Sequence, residues 1–437
     1  MTESQSQNPG EVSIAATTAE GFGHLRINRD RLWATLSELG EIGAYDDKET
    51  GLQGVCRLAL TDEDIAGREL VLGWMTDAGL DISIDAIGNV FACREGTDSS
   101  ADPVMIGSHI DSVATAGRFD GCLGVLGGLE IARTLNDTQI ETRRPLIVAI
   151  FTEEEGARFG TDMLGSATAV GRIGLESAYA RADRDGITVG EELERHGLKG
   201  ALNIPMAKPH AYFECHIEQG PILTETDTDI GVVTGVQAIN WKELHIQGLA
   251  AHAGTTPHRL RRNAGLAASL INVRLTELVE SGKYGELRVN VGRMEIRPGL
   301  INIVPSQALM TIDLRNTRDE EMHRAEEELN SIIQEVTEEY GVEITMTTTA
   351  QTPAVDFAVD MMDRVEKSAS NLGLTSTEIM SGAGHDAGEV AAIAPTGMVF
   401  VPGLYDGISH NPREYSTPEA CENGVNTLLH AVLDVVV

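Results

Sequence analysis

Cysteine, lysine and aromatic residues are all scarce in this chain of 437 residues. Its five cysteines are scattered without a Cys-x-x-Cys pair, which argues against a disulfide framework and predicts a reducing, cytoplasmic location. No apolar run approaches the length of a membrane span. Residues 1–22 lack the basic start and apolar centre of a signal peptide, so we expect them to form a polar N-terminal arm.

Positive charge is also in short supply. The chain has 33 basic and 67 acidic side chains, and its formal net charge is −34. A field of that sign repels nucleic acid and anionic membrane surfaces, so neither is an expected partner. The acidic excess is spread along the chain instead of forming a tail. Adaptation to high salt and an ordinary acidic cytosolic enzyme both fit this pattern.

The order of apolar patterns predicts an α/β fold with two domains. Short, nearly continuous apolar runs at 104–110, 145–151 and 211–217 alternate with helical patterns, as in a mostly parallel sheet covered on both faces. From 236 to 349 the pattern changes to β-α-β-β-α-β, the ferredoxin-like arrangement. We therefore expect residues 23–235 and 350–437 to form the catalytic domain and 236–349 to form an inserted domain.

Histidines and carboxylates follow several of these apolar runs. The pairs His109–Asp111 and Glu154–Glu155, with Asp120 between them, lie where an α/β fold collects its functional loops. An Asp two residues after a His on a strand shares its face and can orient the imidazole. A single His-x-Asp is usually structural, and paired glutamates usually begin a solvated helix. Their accumulation, with further histidines downstream, predicts a dinuclear metal hydrolase using zinc, manganese, cobalt or nickel. The downstream histidines are His216, His385 and His410.

In this order the residues resemble the metal-dependent aminoacylase/carboxypeptidase superfamily, and most closely its amidase/hydantoinase/carbamoylase branch. The short spacing of 11 residues between His109 and Asp120 is typical of that branch. So are four motifs: HIEQG (216–220), AHAGTTP (251–257), PGLINIVP (298–305) and GISHNP (407–412). The resemblance covers nearly the whole chain beyond the N-terminal arm.

The resemblance implies a role for each matching residue. Glu154 would be the general base, Asp111 would orient His109, Asp120 would bridge two divalent ions, and His252 would stabilise the developing oxyanion. The implied metal ligands are His109, Asp120, Glu155, His216 and His410. The implied substrate-binding residues are Gln219, Asn302, Arg315, Gly384 and His385. It also implies that the inserted domain acts as a lid and pairs two chains into a homodimer.

The branch implies hydrolysis of a ureido C–N bond, with an N-carbamoyl-L-amino acid giving the amino acid, carbon dioxide and ammonia. An allantoate amidohydrolase and a β-ureidopropionase remain alternatives within the branch. A dinuclear-metal peptidase or acyl-amino acid deacylase, and a metal-binding protein without activity, are the alternatives outside it. One departure from the branch concerns the loop after His252, where His258 and Asn263 replace the usual Met and Asp. These changes lie in the loop of the expected lid, so they affect the position of the lid and the choice of substrate side chain.

Overall fold

The first part of the chain alternates strands with helices. The computed structural model describes residues 19–437. The strands of this part are β1 (Ala44–Asp46), β2 (Gln53–Val55), β3 (Asp81–Ile84), β4 (Val90–Arg94), β5 (Val104–His109), β6 (Leu146–Phe151), β7 (Ala211–Ile217) and β8 (Ile230–Val236). Its helices are α1 (Arg29–Leu39), α2 (Asp62–Asp77), α3 (Cys122–Asp137), α4 (Leu164–Ala169), α5 (Leu175–Tyr179), α6 (Val189–Arg195) and α7 (Ile222–Glu225).

The middle of the chain forms a separate four-stranded antiparallel sheet with the order β11-β13-β9-β14. Its strands are β9 (Ala238–Gln247), β10 (Ala251–His252), β11 (Arg288–Arg297), β12 (Ile303–Val304), β13 (Gln307–Asn316) and β14 (Glu343–Thr352), of which β10 and β12 pair apart from the sheet. Helices α8 (Ala264–Glu280) and α9 (Asp319–Tyr340) pack on it around their own apolar core. The long elements follow the order β-α-β-β-α-β.

The last part returns to the first sheet. Its strands are β15 (Val355–Asp356), β16 (Ser376–Ser381) and β17 (Thr396–Val401). Its helices are α10 (Val359–Asn371), α11 (Asp386–Val390), α12 (Leu404–Gly407) and α13 (Pro418–Val436). Pro at the first helical position and the Thr417 side chain, which accepts from the Ala420 N–H, begin α13. Within residues 19–437, no helix is both long and apolar enough to cross a membrane.

The large sheet is mixed, which corrects the prediction of a mostly parallel sheet. Its order is β15-β8-β17-β7-β5-β6-β4-β3, with β16 beside β8. The pairs β5–β6, β5–β7, β7–β17 and β8–β16 are parallel. The pairs β3–β4, β4–β6, β8–β17 and β8–β15 are antiparallel. The five residues between β3 and β4 are too few for a parallel crossover, so these strands form a hairpin.

The central strands are buried on both faces. In β5, Val104 and Ile106 belong to one apolar cluster and Met105 to another, because successive side chains point to opposite faces of a sheet. This explains why these strands appear in the sequence as continuous apolar runs. Most of the predicted N-terminal arm, residues 1–18, lies outside the described residues. Phe22, at its end, packs against the first of these clusters.

The topology brings several strand ends together. Because β5, β6, β7 and β17 are parallel neighbours, the loops after them open on the same edge of the sheet. His109 is the last residue of β5, and His216 lies one residue before the end of β7. Glu154 follows β6 by three residues.

Candidate metal centre

Backbone contacts orient two buried histidines at this edge. The Nδ1 of His109 lies 2.9 Å from the carbonyl oxygen of Asp111, and the Nδ1 of His216 lies 2.8 Å from that of Ile217. A carbonyl only accepts, so each Nδ1 is the donor and each Nε2 keeps its lone pair. The Nε2 of His109 is buried without a hydrogen-bond partner among the described residues. The Nε2 of His216 accepts the Gly121 N–H at 3.0 Å, so His109 has the Nε2 that is free for a ligand, and His216 would have to exchange this contact for one.

Asp120 lies between three histidines. Its Oδ1 is 3.1 Å from the Nε2 of His216 and 3.5 Å from that of His109, and its Oδ2 is 3.5 Å from the Nε2 of His410. The next residue, Gly121, has a φ of +65°, and a Cβ on it would lie 2.5 Å from the His109 ring. Only glycine fits there, and it allows the loop to bring Asp120 against the histidines.

Two groups of potential ligands share Asp120. One is His109, Asp120 and His216, and the other is Asp120, Glu155 and His410; within each group the potential ligand atoms lie within 4.8 Å of one another. Since the two oxygens of Asp120 face different groups, this carboxylate has the position of a bridge between two cations. All five predicted metal ligands therefore lie together.

The two adjacent glutamates contact different histidines. The Oε2 of Glu154 lies 3.3 Å from the Nε2 of His109. The Oε2 of Glu155 lies 3.1 Å from the Nε2 of His410. Glu153, before them, has a left-handed φ of +54°, so the chain turns sharply just before the two glutamates. Burial raises the pKa of Glu154 well above its usual value, against the opposing effect of His109, so its carboxylate is a stronger base than a solvated one.

Asp111 does not orient His109 in the predicted way. Its carboxylate is 3.9 Å from the Nδ1 of His109, and the contact to the ring comes from the Asp111 backbone carbonyl. The carboxylate oxygens instead accept the backbone N–H groups of Glu154 and Glu155, at 3.4 and 3.3 Å. The prediction assumed a strand through both residues, but β5 ends at His109. Asp111 therefore positions the two glutamates.

The local charges favour a cation at the site. Burial alone would lower the pKa values of His109, His216 and His410, but the carboxylates beside them outweigh it and raise all three. A metal ion supplies the positive charge that these carboxylates favour. Imidazole nitrogens together with carboxylate oxygens are the donor set that zinc and related transition metals prefer. The residues present therefore fit two divalent ions.

Two polar residues that we did not predict support Asp120. The Ser409 hydroxyl lies 2.9 Å from its Oδ2 and 2.8 Å from the Oε2 of Glu414. The other oxygen of Glu414 accepts the backbone N–H groups of Phe119 and Asp120, at 3.0 and 3.1 Å. Glu414 is buried and follows His410 by four residues. An acidic residue just after a ligand-bearing motif was the available signal.

Four predicted substrate residues also lie at the site. Gln219, Arg315 and Gly384 line a cavity of about 60 Å³ together with Glu154 and Asp120. The Nε2 of Gln219 donates to Asp120 at 2.8 Å, and its amide oxygen is buried without a partner among residues 19–437.

His385 packs against the centre from behind, with its ring centroid 4.5 Å from that of His216. Its Nε2 bonds to Ser381, and its Nδ1 has no partner within the described part of the chain. Burial lowers the pKa of His385 well below its usual value, so the ring is neutral. His385 also forms a third group of potential ligands with Glu214 and His216.

His252 and Asn302 lie elsewhere. His252 ends β10 and Asn302 directly precedes β12, and beside this small strand pair the Ala253 N–H donates to the Asn302 carbonyl at 3.0 Å. Both side chains are exposed, and neither lines the cavity beside the predicted ligands. Within one chain, therefore, these two predicted residues are not brought together with the others.

Asp162 is a cavity residue that the sequence reasoning missed. It lines the same 60 Å³ space as Arg315 and is only 6% exposed. Burial raises its pKa to about 7, with Arg315 acting in the opposite direction. Nothing in the local sequence separates Asp162 from an ordinary surface aspartate.

Known proteins share this chain's sequence and fold. The sequence profile of "Peptidase family M20/M25/M40" matches residues 105–434. An N-carbamoyl-L-amino-acid amidohydrolase of Rhizobium meliloti is 40% identical over 94% of this chain and 97% of its own length. The corresponding enzyme of Geobacillus stearothermophilus is 37% identical over 93% and 98%. The crystal structure of a hydantoinase/carbamoylase family amidase from Burkholderia vietnamiensis superposes with a TM-score of 0.87 at 42% identity, covering 93% of this chain and 97% of that one.

Proposed function

This chain belongs to peptidase family M20/M25/M40, in its hydantoinase/carbamoylase branch, and we propose that its substrate is an N-carbamoyl-L-amino acid. It is a hydrolase of C–N bonds. The observation that supports the proposal best is Asp120, shared by two groups of metal ligands with Glu154 beside them. Hydrolysis of the ureido group consumes one water and releases the amino acid, carbon dioxide and ammonia.

Two divalent ions, zinc, manganese, cobalt or nickel, complete the centre in this proposal. His109 and His216 would hold one and Glu155 and His410 the other, with Asp120 between them. Such ions polarise a carbonyl and make water acidic enough to lose a proton near neutral pH. The protein contributes the fixed geometry: two oriented imidazoles, and a bridging carboxylate supported by Gln219 and Ser409.

Glu154 is the proton carrier of the reaction. As water adds to the ureido carbon, its carboxylate takes the water proton, and it returns that proton to the leaving nitrogen as the C–N bond breaks. Its raised pKa suits both directions of transfer. Asp111 is a positioning residue, since it holds the backbone of Glu154 and Glu155.

Arg315 binds the substrate carboxylate in our proposal, and its own contacts position it to do so. Its Nε and Nη2 donate to Asp313 at 2.9 to 3.1 Å, and its Nη1 donates to the Gly382 carbonyl at 2.9 Å. A guanidinium has five N–H groups, so donors remain for a ligand. The unpartnered oxygen of Gln219 would accept a ureido N–H, and Gly384 and His385 would complete the wall.

A second copy of the chain would complete the site with His252 and Asn302. Both are exposed and lie apart from the cavity in one chain, as expected of groups that act across an interface. Residues 236–349, which also contain the free edge of β11, would form the interface and move as a lid. Apolar side chains are exposed in the same region: Leu249, Leu260, Leu266, Val273, Leu300 and Ile301.

Two residues of this region depart from the branch. Asn263 caps α8 by accepting the Leu266 N–H, and His258 is exposed.

The test of the reaction is ammonia release from a substrate panel after reconstitution with each of the four metals. The panel holds N-carbamoyl-L-amino acids, N-carbamoyl-β-alanine, allantoate, and a dipeptide scored by peptide cleavage. We expect the first class to be turned over best. Faster turnover of allantoate or N-carbamoyl-β-alanine would reassign the substrate, and cleavage of only the dipeptide would reject the proposal.

We also propose a cytoplasmic location. The scattered free cysteines support it, and cell fractionation would test it.

Mixing two inactive variants tests the shared site. A heterodimer of a Glu154→Gln chain and a His252→Ala chain has native Glu154 on one chain and native His252 on the other. These two residues meet in one site only if His252 acts across the interface. Random exchange would then restore about a quarter of the native activity, because half of the dimers are mixed and each has one intact site. No recovery in a sample shown to be dimeric by sedimentation would contradict the shared site, as would a fully active monomer.

A further inference from the structure

A second, larger cavity opens beside the proposed metal centre. Its volume is about 310 Å³, and its lining includes Gln219, His410, Arg315 and Arg288. Gln219, His410 and Arg315 also line the small cavity at the metal ligands, so the two cavities are neighbours that share these side chains. A substrate held at Arg315 therefore has room to extend toward Arg288.

Arg288 and Arg315 converge on one backbone position. They are direct partners in the register of β11 and β13. Arg315 donates from Nη1 to the carbonyl of Gly382, and a Cβ added to Gly382 would lie 2.5 Å from the Nη1 of Arg288. Two guanidinium groups thus reach the same glycine from neighbouring strands.

The two arginines differ in their charge partners. Asp313 lies 2.9 Å from the Nη2 of Arg315 and compensates its charge. The other arginines of β11, Arg293 and Arg297, both pair with Glu295. Within residues 19–437, Arg288 has no carboxylate within 4.0 Å and no side-chain hydrogen bond. Arg288 is exposed at the cavity, and in a chain of net charge −34 it offers a guanidinium without an ion-pair partner among the described residues.

The remaining lining fits a short acidic side chain. Glu218, the carboxylate that lines this cavity, already accepts the N–H groups of Ile222 and Leu223, at 2.7 and 2.8 Å. Ile379 and Phe400 supply apolar walls that methylene groups can contact. The cavity thus combines apolar walls with the guanidinium of Arg288.

We propose that Arg288 binds a second carboxylate of the substrate, so that the preferred substrates are N-carbamoyl derivatives of acidic amino acids. This inference rests on the proposed function and narrows it. Arg315 binds the α-carboxylate and Arg288 the side-chain carboxylate. A guanidinium matches a carboxylate with two parallel hydrogen bonds, which lysine does not reproduce.

The experiment compares kcat/KM for N-carbamoyl-L-glutamate with that for its neutral isostere N-carbamoyl-L-glutamine. The enzymes are the native protein, Arg288→Gln, Arg288→Lys and the control Arg293→Gln, whose arginine lies on the same strand outside this cavity. We expect the native enzyme to prefer the glutamate derivative. In Arg288→Gln, kcat/KM should fall about 10- to 150-fold for the glutamate derivative and less than about threefold for the glutamine derivative. Arg288→Lys should recover part of the loss, and the control should change neither.

Two results would overturn the inference while leaving the proposed function standing. One is native turnover of both substrates without preference for the acid. The other is an equal loss on both substrates in Arg288→Gln, which would assign Arg288 to the shared α-carboxylate or to the structure. Absence of turnover on every N-carbamoyl amino acid would reject the proposed function and this inference together.

Discussion

The adjacent residues Glu154 and Glu155 provide the sharpest test of the site, because one substitution applied to each should give two different defects. Glu154 is the proposed base, beside His109, and Glu155 belongs to one of the two ligand groups, beside His410. Glutamine preserves the size of either side chain and removes only its charge and basicity.

Glu154→Gln should keep both metal ions and lose about 10²- to 10⁴-fold in kcat, the usual contribution of a general base. At 1.36 kcal/mol for each factor of ten, this is about 2.7 to 5.4 kcal/mol of transition-state stabilisation. KM should change little, because the cavity keeps its shape.

Glu155→Gln should instead lower the metal content from two ions toward one for each chain, since Glu155 takes part in only one ligand group. Part of its activity should return at high metal concentration, whereas that of Glu154→Gln should not. The measurements are metal content after gel filtration and initial rates of ammonia release across a metal titration. Metal loss in Glu154→Gln together with full occupancy in inactive Glu155→Gln would refute the assignment.

Three further predictions concern single residues of the site. Asp120→Ala should lose both ions, because one carboxylate serves both ligand groups; retention of two ions in elemental analysis would exclude the bridge. Arg315→Ala should lose about 10- to 150-fold in kcat/KM on acids and much less on a substrate with an amidated carboxylate; equal losses would make Arg315 structural. Asp162 is the third, and its folded-state pKa of about 7 lies above the usual 3.8. Its stabilising contribution is therefore complete below about pH 4 and is lost as the pH rises through 7. The side chain that Asp162→Asn introduces is neutral at every pH. In protein freed of metal by a chelator, the Tm of this variant minus that of the native chain should therefore rise between pH 5 and pH 8. A constant difference would contradict the raised pKa.

The strands that are buried on both faces were predicted best from the sequence. The run predicted at 211–217 is β7 residue for residue, and those at 104–110 and 145–151 differ from β5 and β6 by one residue. Burial on both faces leaves a continuous apolar signal in such strands. Half-buried β3 leaves no such signal, and strand direction at the sheet ends depends on connections that the pattern does not encode.

The site was predictable where residue type determines chemistry. Histidines and carboxylates after apolar runs predicted a metal site, and the resemblance to the amidase branch implied the five ligands that lie around Asp120. Asp111 contacts the His109 ring through its backbone carbonyl and not through its carboxylate, because β5 ends at His109, a detail of one or two positions that the pattern does not give. Asp162 was not found because its burial exists only in three dimensions, and the proposed role of Arg288 rests on a missing charge partner that the sequence does not show.

The hydrogen bonds of Glu414 have a consequence for the timing of assembly during synthesis. They join segments 294 and 295 positions apart, so the support of Asp120 spans most of the polypeptide. His109, Asp120, Glu155 and His216 leave the ribosome before residues 238–352, whereas His410 and Glu414 follow them. A nascent chain can thus offer one complete ligand group early, but the second must wait for the last segment to fold back onto the first sheet. On the proposed ligand assignment, the second ion would bind only after the chain has closed.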